Sequence, residues 1–248
     1  MQAYLSTPLL IHKRKFDIRV FGLVTSVYGK MRGYFYEDGY LRTSSKEFQL
    51  GDLGNKYIHL TNDAIQKRSE DYGKFENGNK LSYADFQKYL ESPDYMQQAT
   101  AIPHVVFTRD IVPQMRHLVA QAFRSVSLDR LDPHRRLHSF EVFGFDFMLD
   151  EQFTVYLIEA NTNPCLEVNG CPVLARIIPQ MLDSAFRVAV DPVLTPPDMN
   201  FKRGSEMLHE CKFQHIFELE EELADLQALY AVPDDVDIDL ETEGHVRS

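Results

Sequence analysis

Phe143-Gly-Phe-Asp-Phe-Met-Leu-Asp150, followed by Phe153-Thr-Val-Tyr-Leu-Ile-Glu-Ala-Asn-Thr-Asn-Pro164, is the stretch on which the reading of the chain turns. Both runs are rich in the β-branched and aromatic residues that fit a pleated, half-buried surface, so they read as two strands. A short acidic turn, Asp150-Glu151-Gln152, joins them. Three polar residues interrupt the apolar pattern: Asp146 in the first strand, Glu159 and Asn161 in the second. Alternation along a strand points Glu159 and Asn161 to one face. A loop with an even number of residues (151–152 or 151–154) brings Asp146 to that face, and with 151–154 it lies directly opposite Glu159. Two carboxylates and an amide oxygen among apolar neighbours repel unless a cation sits between them. Such hard oxygen ligands suit Mg²⁺. A hairpin with a merely polar outer face accounts for the same residues.

Outward from this hairpin, the first 45 residues read as an antiparallel meander. Strands are expected near Met1–Ile11, Asp17–Ser26 and Val27–Tyr36, with Glu37-Asp-Gly39 as a tight turn into Tyr40-Leu-Arg-Thr43. Alternation places Lys15, Asp17 and Arg19 on one face, an acid flanked by two cations and suited to phosphate or carboxylate. Residues 48–79 are polar and rich in Gly and Asn, an irregular segment anchored by Tyr57-Ile-His-Leu-Thr-Asn62. Ser82 caps a helix through Leu90. Thr108–Ser127 carries an apolar helical stripe, with Pro113 in its first turn. Pro172–Val190 is helical in pattern but interrupted by Pro179, which predicts two short helices or one kinked helix. Residues 193–204 read as a linker after a domain spanning 1–192. Residues 205–248 read as an acidic amphipathic helix (about 206 to 230) and a frayed tail.

The formal net charge is −11, and the acidic excess lies after residue 136, while the preceding part is net basic. The early part can therefore face an anionic ligand. No apolar run approaches the roughly 20 residues of a membrane span, and no secretory leader is evident. Three cysteines, Cys165, Cys171 and Cys211, show no metal-type spacing and fit plain thiols in a reducing compartment.

Five strings occur in order: Lys15-Phe-Asp-Ile-Arg19, Leu41-Arg-Thr-Ser44, His59-Leu-Thr-Asn62, Phe143-Gly-Phe-Asp-Phe147 and Ile158-Glu-Ala-Asn-Thr-Asn-Pro164. Together they resemble the tubulin tyrosine ligase-like family, which has the ATP-grasp fold. Tyr72-Gly-Lys-Phe-Glu-Asn-Gly-Asn79 also resembles the tyrosine ligase branch. The resemblance implies an α+β fold, the mainly antiparallel C-terminal portion of an ATP-grasp enzyme with its N-terminal domain missing. It implies ATP and Mg²⁺ as cofactors. Gln2, Ala3, Tyr4 and Leu5 match the adenine-lining hinge, with Lys15 and Asp17 also at the nucleotide. Arg19 and Arg42 match catalytic arginines near the transferring phosphate. Thr61 and Asn62 match the segment closing over the nucleotide, and Asp146, Glu159 and Asn161 match the metal ligands. Lys80 falls where glutamate-adding members keep a lysine for the amino-acid carboxylate.

Such ligases phosphorylate a peptide carboxylate with ATP, and the amine of a free amino acid displaces the phosphate. The resemblance therefore implies tyrosine or glutamate addition to tubulin tails, in the cytoplasm and at microtubules, including those of a cilium or flagellum. Neither a nucleic-acid nor a membrane partner is expected. It starts at the hinge, so the chain is expected to bind ATP weakly and to ligate poorly or not at all alone. A non-catalytic tubulin- or partner-binding remnant, and a different ATP-grasp carboxylate–amine ligase, stay open as alternatives. Arg176 is expected on a helix surface rather than at the substrate.

Overall fold

The structure, a computed structural model, describes residues 3–98, 104–127, 138–168, 170–194, 211–221 and 224. Seven strands among these form one antiparallel sheet: β1 (Leu10–Ile11), β2 (Arg14–Val27), β3 (Lys30–Glu47), β4 (Lys80–Ser82), β5 (His138–Leu149), β6 (Val155–Thr162) and β7 (Phe213–Glu218). The spatial order is β4-β3-β2-β5-β6, with β1 beside the start of β2 and β7 on β3. The helices are α1 (Lys56–His59), α2 (Asp63–Gln66), α3 (Tyr83–Leu90), α4 (Pro93–Gln98), α5 (Phe107–Asp110), α6 (Val112–Ser127) and α7 (Pro172–Ala189). The α+β expectation holds.

Alternation along β2 divides the core into two. Phe16, Ile18 and Val20 pack with Phe35, Leu41, Phe145 and Phe147 under α3, α5 and α6. On the other face Phe21 and Leu23 pack with Tyr36 and Tyr40 under Leu174, Ile177, Ile178 and Met181 of α7. Ser82 caps α3, its hydroxyl accepting from the Asp85 amide at 3.1 Å, and Pro113 sits in the first turn of α6.

Three expectations are corrected. The chain does not turn at Glu37-Asp-Gly39. β3 runs through it, and Tyr36, Glu37 and Asp38 bulge opposite Phe21, between the pairs Val20↔Gly39 and Gly22↔Phe35. Gly39 serves close approach instead: a Cβ there would strike the Tyr83 hydroxyl and the Arg19 carbonyl. The hairpin turn is Tyr28-Gly29, both at positive φ (52° and 77°), as the right-handed twist of a two-residue connection demands. Second, of the two alternatives for Pro172–Val190 the pair of short helices falls, because α7 is one helix through Pro179. Pro179 and Ala175, whose carbonyl loses its partner, both lie on the exposed side, where water can replace the missing bond.

Third, the amphipathic helix expected from about 206 to 230 gives way to a strand over Phe213–Glu218, with helix only at residues 219–221 and 224 among the described residues. The i, i+4 spacing of Phe213 and Phe217 fits a helix, but a bulge at Gly33/Tyr34 in the pairing with β3 inserts one extra residue. That insertion flips the face, so Phe213 joins the core under α7 and Phe217 the core under α6. Residues 195–210 and most of the acidic tail lie outside the described residues. No described helix is long and apolar enough to cross a membrane.

Candidate functional site

The charged residues form a row across five strands. Lys80 (β4) pairs in register with Arg42 (β3), Arg42 with Asp17 (β2), Arg19 (β2) with Asp146 (β5), and Asp146 with Glu159 (β6). Asp146 thus lies opposite Glu159, after a one-residue register shift between Asp146 and Phe147. Gly144, the glycine of Phe143-Gly-Phe-Asp146, stands opposite Asn161. A Cβ there would sit 2.9 Å from Pro164 Cβ and 3.1 Å from Arg19 Nη1, so its absence makes room for the guanidinium.

Every interior charge in the row has a partner. Arg19 donates to Asp146 Oδ1 through Nε at 2.5 Å and to Oδ2 through Nη2 at 2.9 Å. Arg42 grips Asp17 with the same fork, at 2.6 and 2.9 Å, and adds a 2.7 Å bond from Nη2 to Asp146 Oδ2. The Thr61 hydroxyl donates to Asp17. Burial alone would raise the Asp146 pKa, but the hydrogen bond from Arg19 and the charge of Arg42 win and hold it below the usual carboxylate range. Asp17 and Asp146 in turn raise the pKa of Arg42 against the opposing effect of burial.

On the same face of β2, Lys15 donates from Nζ to the His59 carbonyl at 3.0 Å and lies 4.9 Å from the Tyr4 ring centroid. Burial lowers its pKa, and Asp17 partly opposes this. The Tyr4 hydroxyl meets His59 Nδ1 at 2.7 Å. Of the residues expected at the hinge, Ala3, Tyr4 and Leu5 are described, with Ala3 and Tyr4 exposed, while Gln2 lies outside the described residues.

In front of the row lies a cavity of about 910 Å³. Arg19, Arg42, Asn62, Lys80 and Asn161 line it, whereas Lys15, Asp17, Thr61, Asp146 and Glu159 are not part of its lining. Its opposite wall is the segment 62–80, including Asp63, Lys67 and Tyr72. Sequence reading missed the hub of that wall. Asp63 accepts from Lys80 at 2.6 Å, Tyr72 at 2.8 Å and Lys67 at 2.9 Å. Burial pushes the Asp63 pKa up, and the bonds from Lys80, Lys67 and Tyr72 more than reverse it. Lys80 is thus already paired within the chain. No spacing announces this contact, because Lys80 comes from β4 and Asp63 from α2.

A buried pin, also unforeseen, holds the wall to the sheet. Arg14, only 1% exposed, forks onto Glu76, bonds the Ser44 carbonyl at 3.1 Å and lies 4.2 Å from the Phe75 ring centroid. Thr43 donates to Glu76 at 2.9 Å, and Asn79 donates to the Thr43 carbonyl at 3.0 Å. Arg176 meets Asp38 at 2.5 Å and is not part of the cavity lining.

For Mg²⁺ the donor set is chemically suitable but already in use. Asn161 Nδ2 lies 3.1 Å from Glu159 Oε1 and 3.5 Å from Asp146 Oδ2, so the three side chains do converge. With its amine turned inward Asn161 satisfies the two acids, and rotation of the amide would present oxygen instead. Both Asp146 oxygens accept from arginine, so a metal would share that carboxylate with Arg19 and Arg42. Glu159 is exposed and accepts from Asn161. Among the described residues no cluster of three or more His, Cys, Asp or Glu gathers to hold a metal.

A family model described as the Tubulin-tyrosine ligase family matches residues 1–198. Tubulin glycylase 3B of Tetrahymena thermophila is 30% identical over 77% of this chain and 15% of its own length. Human protein monoglycylase TTLL8 is 36% identical over 77% of this chain and 21% of its own. The probable tubulin polyglutamylase TTLL9 of Bos taurus is 32% identical over 68% of this chain and 34% of its own. The chain therefore spans about a third or less of the length of these relatives.

Proposed function

The chain belongs to the tubulin-tyrosine ligase family, and from that premise we propose that it supplies part of the site of an ATP-dependent ligase joining a free amino acid to a carboxylate of tubulin. The row of charges from Lys80 to Glu159, whose cations Arg19, Arg42 and Lys80 line one large cavity, carries this reading. Phosphoryl transfer and acyl displacement both spread negative charge over oxygens, and fixed cations facing that charge do most of the catalytic work. Arg19 and Arg42 are fixed in that sense: each is forked onto a buried carboxylate, so little reorganisation is needed when phosphate arrives. Asp146, Glu159 and Asn161 would hold Mg²⁺, which supplies neutralisation of the nucleotide phosphates. Lys15, Asp17, Thr61 and Tyr4 would face the nucleotide beside the two arginines. Lys80 would meet the amino-acid carboxylate by exchanging it for Asp63.

The names of the relatives favour glycine or glutamate as the added amino acid over tyrosine. A tubulin acceptor sets the protein at the cytoskeleton.

The test is thermal denaturation of the full 248-residue chain with and without Mg-ATP. A ligand at a hundred times its Kd stabilises by about 2.7 kcal/mol. A clear rise in Tm is expected for the natural chain and a smaller one for Glu159→Gln, which alters an exposed group and spares the arginine pairs. No rise at millimolar Mg-ATP, or an equal rise in the variant and in EDTA, would defeat the nucleotide-and-metal reading. Radiolabelled glycine, glutamate and tyrosine, each offered with tubulin, then test transfer.

A further inference from the structure

A second cleft, of about 410 Å³, lies on the far side of α2 and is lined by Gly54, Asn55, Lys56, Tyr57, Ile65 and Arg68. The short helix α2 is the partition: Asp63 and Ala64 face the large cavity, and Ile65 faces the cleft. The framework around it is fixed. Asn55 Oδ1 accepts from the Tyr57 amide at 3.2 Å, and the Tyr57 hydroxyl donates to the Arg68 carbonyl at 3.3 Å. Gln66, fully buried, accepts from the Ser45 amide at 2.9 Å and donates to the Leu60 carbonyl.

The charges of the cleft differ from those around it. In the same region Lys46 pairs with Asp71 at 2.5 Å, Lys67 and Lys80 with Asp63, and Lys74 with Asp71 at 3.3 Å. Lys56 and Arg68 make no ion pair among the described residues, and both are exposed. Asp52 is the acid in the preceding turn. Its backbone carbonyl meets His59 Nε2 at 2.9 Å, and its Oδ1 lies 3.9 Å from where a Cβ on Gly54 would stand. Two unpaired cations beside the Ile65 side chain and the Tyr57 ring suit a group with an apolar stem and an anionic head. A carboxylate side chain of a peptide is such a group, since a guanidinium fork matches its two oxygens.

We propose that this cleft is a subsite for a second carboxylate of the acceptor peptide, next to the one held in the large cavity. The orientation rests on the ligase reading above; the binding itself does not. A helix is about 10–12 Å across with its side chains, and extended chain advances about 3.3 Å per residue. A carboxylate three or four residues from the reacting one therefore spans about the width of a helix such as α2.

The experiment titrates the full chain with two fluorescent synthetic peptides, read by anisotropy at low salt. One carries two glutamates four residues apart in a neutral background, and the other has the second glutamate replaced by glutamine. Two exposed charge pairs predict that the natural chain binds the first about 5-fold more tightly. The double variant Lys56→Gln/Arg68→Gln, both changes on exposed side chains, should lose that preference while keeping its Tm. Equal affinity for the two peptides, or a preference that survives in the double variant, overturns the proposal. So does single-stranded RNA that outcompetes the peptide through the same two cations. A peptide preference without Mg-ATP stabilisation counts against the nucleotide reading alone, and the reverse result counts against the subsite alone.

Discussion

One face of β2 carries Lys15, Asp17 and Arg19 over its first half and Phe21 and Leu23 over its second. All five are buried, at 7% exposure or less. The two halves differ in what covers them. Over Phe21 and Leu23 lies the apolar stripe of α7, whose contacts are non-directional. Over the charged half lies the irregular segment 56–80, which brings a carbonyl to Lys15 and a hydroxyl to Asp17, while the fork of Arg42 arrives from the neighbouring strand. An apolar cover tolerates small adjustments. A polar cover works only when each group meets its own partner, because an unpaired buried charge is costly. Burial alone therefore does not separate core from site in this molecule; the completeness of pairing does.

The strongest test of this contrast is Asp146→Ala. It leaves Arg19 and Arg42 short of their shared acceptor, and a loss of about 3–5 kcal/mol is expected in urea denaturation. A loss under about 1 kcal/mol would mean that water reaches the arginines, and the contrast would fail. Leu23→Ala, in the apolar half, should cost about 3 kcal/mol through lost burial and a residual cavity, with Mg-ATP stabilisation unchanged. An altered nucleotide response in that variant would couple the two halves.

Acid should act on the charged half first. The folded-state pKa of Asp146 lies below its unfolded value of about 3.9. The unfolded chain therefore binds more protons in that window, and stability present above about pH 4 is lost as pH falls through the folded value. Denaturation midpoints should be flat from pH 7 to 5 and drop below pH 4, with a shallower drop in Asp146→Asn. An equal slope in the variant would assign the effect to other carboxylates, such as Asp38 and Asp63, whose pKa values are also lowered. The smallest effect is expected for Glu159→Gln, within about 0.5 kcal/mol of the natural chain. Glu159 is exposed and bonds only Asn161 among the described residues, so a larger loss would mean that the open end of the row is structural after all.

Much of the row was legible before folding. A strand's period of two groups Lys15 with Asp17 and Arg19, and Glu159 with Asn161, whatever the rest of the molecule does. A four-residue loop 151–154 would set Asp146 opposite Glu159; the strands close instead at Leu149↔Val155, and the register shift beside Asp146 restores that pair. Contacts between distant segments left no such trace. The resemblance sets Lys80 at the amino-acid carboxylate, while its partnership with Asp63 comes from packing α2 against the sheet at β3, the neighbour of β4. The Arg14 fork onto Glu76 likewise joins residues 62 positions apart.

From sequence alone came the local geometry: the Ser82 cap, Pro113 at a helix start, the hairpin and the sidedness of each charged strand. These depend on neighbours a few residues away, where backbone sterics and periodicity act. The tertiary structure alone decided three things. Glu37-Asp-Gly39 became a bulge because both flanks pair with β2. Phe213–Glu218 became a strand because the edge of β3 supplied hydrogen bonds that a helix would not use. The charges of the row were balanced because β2, β3 and β5 lie side by side, and Coulomb interactions depend on distance in space rather than along the chain.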